Sequence, residues 1–203
     1  MALHKTHGTI KGKVNLFYNQ INDYVFQQST DSNGDGLADR VNDESNLDLN
    51  GTYVVQNFAQ IGTKFYGLEA EANIELLPKT LNLQLFTNMV YAKLNQNGNV
   101  PRLTPQRFGL ELDHQYGAWQ SNFNVTRVAR QNRVARLESE TQGYTLMNTE
   151  VAYHVKGGRS TKYTFFVQDK NLLDSDIRVH TSFLKNTAPL TGHTAVVGIM
   201  GTF

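Results

Sequence analysis

The residues with the clearest chemical spacing run from 31 to 44: Asp-Ser-Asn-Gly-Asp-Gly-Leu-Ala-Asp-Arg-Val-Asn-Asp-Glu. Oxygen side chains fall at the first, third, fifth and ninth places as Asp31, Asn33, Asp35 and Asp39. Gly36 stands sixth and the Leu37 carbonyl seventh, which is the spacing of an EF-hand-type calcium loop. The twelfth place holds Asn42 instead of a bidentate Glu, so Asp43 or Glu44 has to substitute after a one-residue shift. No helices are expected on either side. An all-oxygen set favours a hard cation such as calcium over zinc, and the ion would be structural. A solvated Asp/Asn/Gly turn has the same composition, and both readings stand at this point.

Six histidines offer nitrogen ligands: His4, His7, His114, His154, His180 and His193. Only His4 and His7 are close, and three residues apart on a strand they face opposite ways. His180 and His193 are favoured as ligands of a substrate metal because they lie on or beside one long loop. The others read as polar lining. Thiolate sites and disulfides are excluded by the absence of cysteine. No Ser-His-Asp, paired-carboxylate or phosphate-loop arrangement stands out. Glu69, Glu71 and Glu75 share one strand face and read as a hydrated wall, so an enzyme is not expected. With 19 basic and 18 acidic residues the chain has no excess of positive charge for nucleic acid.

The elements that must carry these groups are strands. Tyr66, Leu68, Ala70, Ala72, Ile74 and Leu76 alternate with Gly67, Glu69, Glu71, Asn73 and Glu75. Similar alternation runs through 81–91, 107–113 and 147–155 and into the chain end, where Ala195, Val197 and Ile199 lead to Phe203. A period of two places one apolar and one hydrophilic face on each segment. We expect about nine strands, near 2–8, 11–28, 52–77, 80–95, 105–116, 118–131, 143–156, 161–171 and 192–203. Short turns alternate with long polar loops at 29–51, 96–104, 132–142 and 172–191. Aromatics cluster near strand ends (Tyr18, Tyr24, Phe26, Tyr66, Tyr91, Tyr116, Trp119, Tyr144, Tyr153), as in interfacial girdles. The expected fold is all-β: an antiparallel up-and-down segment of a transmembrane β-barrel filling 1–203 as one domain. Strand length and the turn–loop asymmetry argue against a soluble sandwich. A mean hydropathy of −0.43 is compatible with strands that are half polar. The start carries no secretion signal, so a piece of a longer precursor is expected. An odd number of strands cannot close antiparallel, which makes the segment an arc of a larger barrel.

Three stretches resemble the C-terminal barrel of TonB-dependent outer-membrane receptors. They are the F-Y-N-x-I-x-D-Y run from Phe17 to Tyr24, the G-x-E-x-E run from Gly67 to Glu71, and P-R-x-x-P-x-R-F-G from Pro101 to Gly109. Val167-Gln168-Asp169-Lys170-Asn171-Leu172-Leu173-Asp174, with Arg178 to Lys185 and Ala188-Pro189-Leu190, is similar to the subset taking up zinc or haem-type metals. The resemblance implies the C-terminal arc of a 22-stranded barrel in the bacterial outer membrane. It also implies active transport of a metal ion or chelate such as zinc, haem or iron-siderophore. The TonB system would act through a plug that has no counterpart here, and lipid would surround the wall. The alternative reading is a small self-contained barrel or a calcium-stabilised surface-binding protein.

Overall fold

The computed structural model describes residues 1–158 and 161–202. Arg159, Ser160 and Phe203 lie outside the described residues. Nine strands form one antiparallel sheet in the order β1 (Ala2–Lys5), β2 (Ile10–Ser29), β5 (Gln56–Leu77), β6 (Leu81–Leu94), β7 (Arg107–Tyr116), β8 (Trp119–Val128), β9 (Tyr144–Lys156), β10 (Lys162–Lys170) and β11 (Thr194–Thr202). These are the nine strands the alternation predicts. A second small sheet, not expected from the sequence, pairs β3 (Arg40–Val41), in the 29–51 loop, with β4 (Tyr53–Val54), which lies just beyond that loop at the start of the expected 52–77 strand. Two-residue strands are too short to give a period, so the sequence carries no signal for them. His7 lies beyond the end of β1, in the turn, so the opposite-face argument for His4 and His7 does not apply. Among the described residues there is no helix long and apolar enough to cross a membrane.

The register sorts the two faces. Leu16, Leu68 and Met89 are mutual neighbours, and so are Leu85, Ala72, Leu110, Val125 and Met147. On the other face Lys13, Glu71 and Phe86 align, as do Gln84, Glu111, Asn124 and Asn148. The first face is an apolar wall and the second a polar one, as period-two strands require. On the polar wall Lys13 pairs with Glu71 at 2.8 Å, and the Asn122 amide donates to Glu111 at 2.7 Å and Asp113 at 2.8 Å. Two aromatic pairs bracket the apolar wall. Tyr66 stacks on Tyr91 at 5.3 Å near the long loops, and Trp119 meets Tyr153 at 4.7 Å near the short turns. From Tyr91 down to Leu81 the strand travels about 34 Å, or about 25 Å along the normal at a tilt of ~40°. That is the height of a transmembrane apolar band.

β2 and β5 hold 20 and 22 residues, about twice what crossing a bilayer needs. Their upper halves therefore project past the band. Between Ile21 and Tyr24 the register shifts by a bulge. One extra residue reverses the faces. Tyr24 packs edge-on against Phe65 at 5.0 Å on the polar side, and Phe26 is buried. These two aromatics, expected in the girdle from their place near a strand end, are therefore not girdle residues.

Candidate functional site

The bulge matters because it turns Phe26 and Gln28 inward above the band. With Asn57 and Ile61 of β5 and Leu94 of β6 they wall a cavity of about 650 Å³ at the long-loop end of the polar face. Loop residues Gln96, Asn97, Asn99, Ala135 and Arg136 complete it. Half of the lining residues are amides and hydroxyls, which donate and accept hydrogen bonds, and the rest are mainly apolar side chains and the Arg136–Asp31 ion pair. Such a surface suits a polar ligand with several oxygen or nitrogen groups.

The loops around this cavity are bound to one another through Glu138. Its Oε1 accepts the Arg102 backbone N–H at 2.9 Å and the Lys185 ammonium at 3.0 Å. Its Oε2 accepts the Ala135 N–H at 3.0 Å. The His180 Nε2 lies 3.2 Å from Oε1. One carboxylate thus holds the 95–106, 129–143 and 171–193 loops together. Burial pushes its pKa up, but the His180 ring, the Ala135 and Arg102 amides and Lys185 overcome that and hold it down to about 2. His180 is itself buried. Its Nδ1 lies 2.9 Å from the Thr141 hydroxyl and 3.4 Å from the Lys185 ammonium. An ammonium only donates, so Nδ1 accepts in the contact with Lys185.

Further ties complete the network. Arg102 donates to the Gln27 carbonyl at 3.2 Å and covers the Phe183 ring at 4.1 Å. Gln131 donates to the Leu103 carbonyl at 2.9 Å, and Arg136 pairs with Asp31 at 2.7 Å. Asn171, buried and at φ 52°, accepts the Ser175 N–H and donates to the Ser175 and Thr191 carbonyls. It closes the last long loop at its neck. The Asn in the Asp169-Lys170-Asn171 run therefore has a structural task.

His193, just before β11, stands apart from this network: its Nε2 is 2.5 Å from Asp169 Oδ1 of β10, and its backbone N–H donates to Asp174. The carboxylates of the 31–44 loop are held by its own N–H groups. Asp31 Oδ2 accepts from Gly36, Asp35 Oδ1 from Leu37 at 2.7 Å, and Asp39 Oδ2 from Ser32 at 2.9 Å. The Asn33 amide donates to Asp35. The Thr30 hydrogen bond, helped by those from Ser32, keeps the Asp39 carboxyl below its ordinary range against the opposing effect of desolvation. Gly36 takes φ 84°, the turn its position requires. Asp43 has no such tie in the loop, and Asp31 Oδ1 is buried without a partner. Among the described residues no three His, Cys, Asp or Glu side chains converge as a metal-binding group.

An antiparallel sheet with one apolar and one polar wall, girdled by aromatics and roofed by linked loops, defines a segment of outer-membrane β-barrel. Residues 4–172 match the family model for the TonB dependent receptor-like β-barrel, and the chain belongs to that family. Among solved structures it is similar to one described as the copper transporter OprC, with TM-score 0.73 and 16% identity over 98% of this chain and 29% of that one. It is also similar to the FrpB iron transporter from Neisseria meningitidis (F3-3 variant), with TM-score 0.65 and 12% identity over 98% of this chain and 30% of that one. The chain thus spans less than a third of either protein, and identities this low speak for the fold.

Proposed function

We propose that this chain is the C-terminal arc of a 22-stranded TonB-dependent transporter that takes a metal ion or metal chelate across the outer membrane. The family match carries this reading. It is supported by the 650 Å³ amide-lined cavity, which sits at the long-loop mouth of the polar wall. It is supported also by strand parity. β1 and β11 run the same way at opposite edges of a nine-stranded sheet, so an even-numbered antiparallel barrel needs further strands between them. The solved structures it resembles are named as copper and iron transporters, and that likeness is what suggests a metal cargo for this chain. In this reading the cavity binds the polar periphery of a chelate, and His180 and His193, on and beside the last long loop, are the proposed nitrogen ligands of its metal. Energy would come from the TonB system through a plug domain.

The test is uptake. A receptor-null strain carrying the parent gene is grown on single sources of zinc, haem, copper or iron chelate. Growth on one source, abolished by deleting TonB, supports the proposal. No rescue on any source, with the protein present in the outer membrane, sinks it. The 203 residues alone behind a signal peptide are expected to give no rescue.

For the 31–44 loop we propose a structural calcium ion. The oxygen spacing, the φ of Gly36 and the unpaired buried Asp31 Oδ1 support it. Occupation would draw Asp31, Asp35 and Asp39 inward and release Arg136.

A further inference from the structure

Three consecutive ranks of residues on the apolar wall change character in a definite order. Leu16, Leu68 and Met89 form one rank, and Tyr18, Tyr66 and Tyr91 the next, two residues nearer the long loops. Two residues further comes Gln20, Lys64 and Lys93. The register is continuous across these positions, so all nine side chains issue from the same outward face. Each rank lies about 7 Å above the last along the strands.

The third rank is unusual. Lys64 and Lys93 are direct cross-strand partners, and like charges so placed repel. Both are exposed, and among the described residues neither ammonium has a hydrogen-bond or ion-pair partner. They line a cleft of about 410 Å³ with Gln20, Asn95, Asn97 and Gly98. Glu69, Glu71 and Glu75 are on the opposite face, and Asp23, exposed at the bulge of β2, forms no ion pair with either lysine. A paired positive site thus stands immediately above a tyrosine rank on a lipid-facing wall. That is the level of the headgroups in the outer leaflet.

We propose that Lys64 and Lys93, with the Gln20 and Asn97 amides, bind the phosphate group of an outer-leaflet lipid. The inference rests on the membrane-barrel reading and adds a ligand to it. The lipid's chains run down over Tyr66, Tyr91 and the leucine rank, while its phosphate enters the cleft between the ammonium groups. A free phosphate ion shares the headgroup chemistry but gains nothing from the apolar wall below, so lipid is the expected occupant.

The test uses the full chain extracted from outer membranes in a zwitterionic detergent. It is mixed with phosphatidylcholine vesicles with and without phosphatidic acid, and separately with inorganic phosphate. Phosphatidic acid is expected to bind the unaltered chain and to fall about thirtyfold in affinity for Lys64→Gln plus Lys93→Gln, two lysines' worth of surface attraction. Lys64→Arg plus Lys93→Arg should retain it, and Lys79→Gln at a short turn should change nothing. Unfolding adds an independent readout. Without anionic lipid the double Gln variant should be the more stable protein, since repulsion is relieved, and with phosphatidic acid the order should reverse. Equal phosphatidic acid affinity in the unaltered and double Gln chains overturns the proposal. So does an unchanged order of stability, or binding of inorganic phosphate as tight as that of the lipid. Loss of membrane insertion would instead count against the barrel reading.

Discussion

The ring of Phe86 rests on Gly109, its register partner across β6 and β7, so that a β-carbon at 109 would stand 2.3 Å from the ring. The same pairing recurs between Phe166 and Gly198 and between Phe17 and Gly67. All three lie on the polar wall, where each ring covers the backbone of a residue that has no side chain to pack. Aromatic cover of a glycine in this way pins the register and compensates the loss of β-propensity. Gly109→Ala is therefore expected to destabilise by about 1–3 kcal/mol through overpacking, and Gly198→Ala similarly. Gly158→Ala meets nothing within 4 Å and should be neutral. Denaturant titrations of the chain folded into lipid vesicles would check this. Equal effects at 109 and 158 would remove the pairing from the account.

The wall assignment gives a sharper test at neighbouring positions. Leu85 points to the apolar wall between Ala72 and Leu110, while Gln84 points to the polar wall between Asn73 and Glu111. Leu85→Arg places a guanidinium near mid-bilayer, and about 2–4 kcal/mol of folding stability should be lost. Gln84→Arg gains a carboxylate neighbour and should cost far less. The same titration in lipid reads both, and similar losses would mean the faces are misassigned.

How much of this was legible in the sequence depends on the range of the signal. Strand alternation is local, and Tyr66 to Leu76 showed its faces without any knowledge of partners. The bulge at Ile21–Tyr24 was not legible, because one added residue leaves the composition of the run unchanged while reversing Tyr24 and Phe26. Nor were the aromatic–glycine pairs, since Phe86 and Gly109 meet only through the β6–β7 register. The Glu138 network lay furthest from view. Its partners Arg102 and Lys185 stand 36 and 47 residues away, and only the folded loops bring them together. His180 was singled out for its place on a loop, and the structure gives it a buried position against Glu138 and Thr141.

That network should respond to pH in a defined window. The Glu138 carboxyl drops from its ordinary 4.5 to about 2 on folding. A carboxyl depressed in this way stabilises the closed loops fully above its unfolded value, and the contribution is lost as pH falls from there through the folded value. Loop closure should thus be unchanged from neutral pH to about pH 5, then weaken progressively down to about pH 2. Limited proteolysis across the 129–143 and 171–193 loops would follow it. Opening already complete at mildly acidic pH would show that Glu138 is not the group responsible.

Replacing that carboxylate tests the same hub at neutral pH. Glu138→Gln leaves the buried Lys185 ammonium without a carboxylate, with the Ser139 carbonyl at 2.7 Å and His180 Nδ1 at 3.4 Å as its remaining accepting partners. Removing one member of a buried pair costs about 3–5 kcal/mol. The loss should be local, because the sheet below does not depend on these loops. Hydrogen exchange at the Arg102 and Ala135 amides, which donate to Glu138, should quicken, while amides of β6 to β9 stay protected. Uniform loss of protection would make the hub part of the global fold instead.

The remaining prediction concerns the 31–44 loop, where the Arg136 guanidinium already occupies Asp31 Oδ2 at 2.7 Å. A calcium ion needs that carboxylate, so arginine and ion compete for it. Millimolar calcium is the relevant range, since sites of this type in extracellular modules bind at about 0.1–1 mM. Calorimetry should show saturable heat for the full chain and none for Asp31→Ala plus Asp35→Ala. Arg136→Gln should bind more tightly than the unaltered chain, because no cation has to be displaced. That last comparison separates a true site from general attraction to an acidic loop. Removing a positive charge strengthens nonspecific attraction only weakly, and salt screens it, whereas freeing a ligand oxygen persists at high salt. If the double Ala variant gives the same heat as the unaltered chain, the loop is a turn held by its own N–H groups and by Arg136 alone.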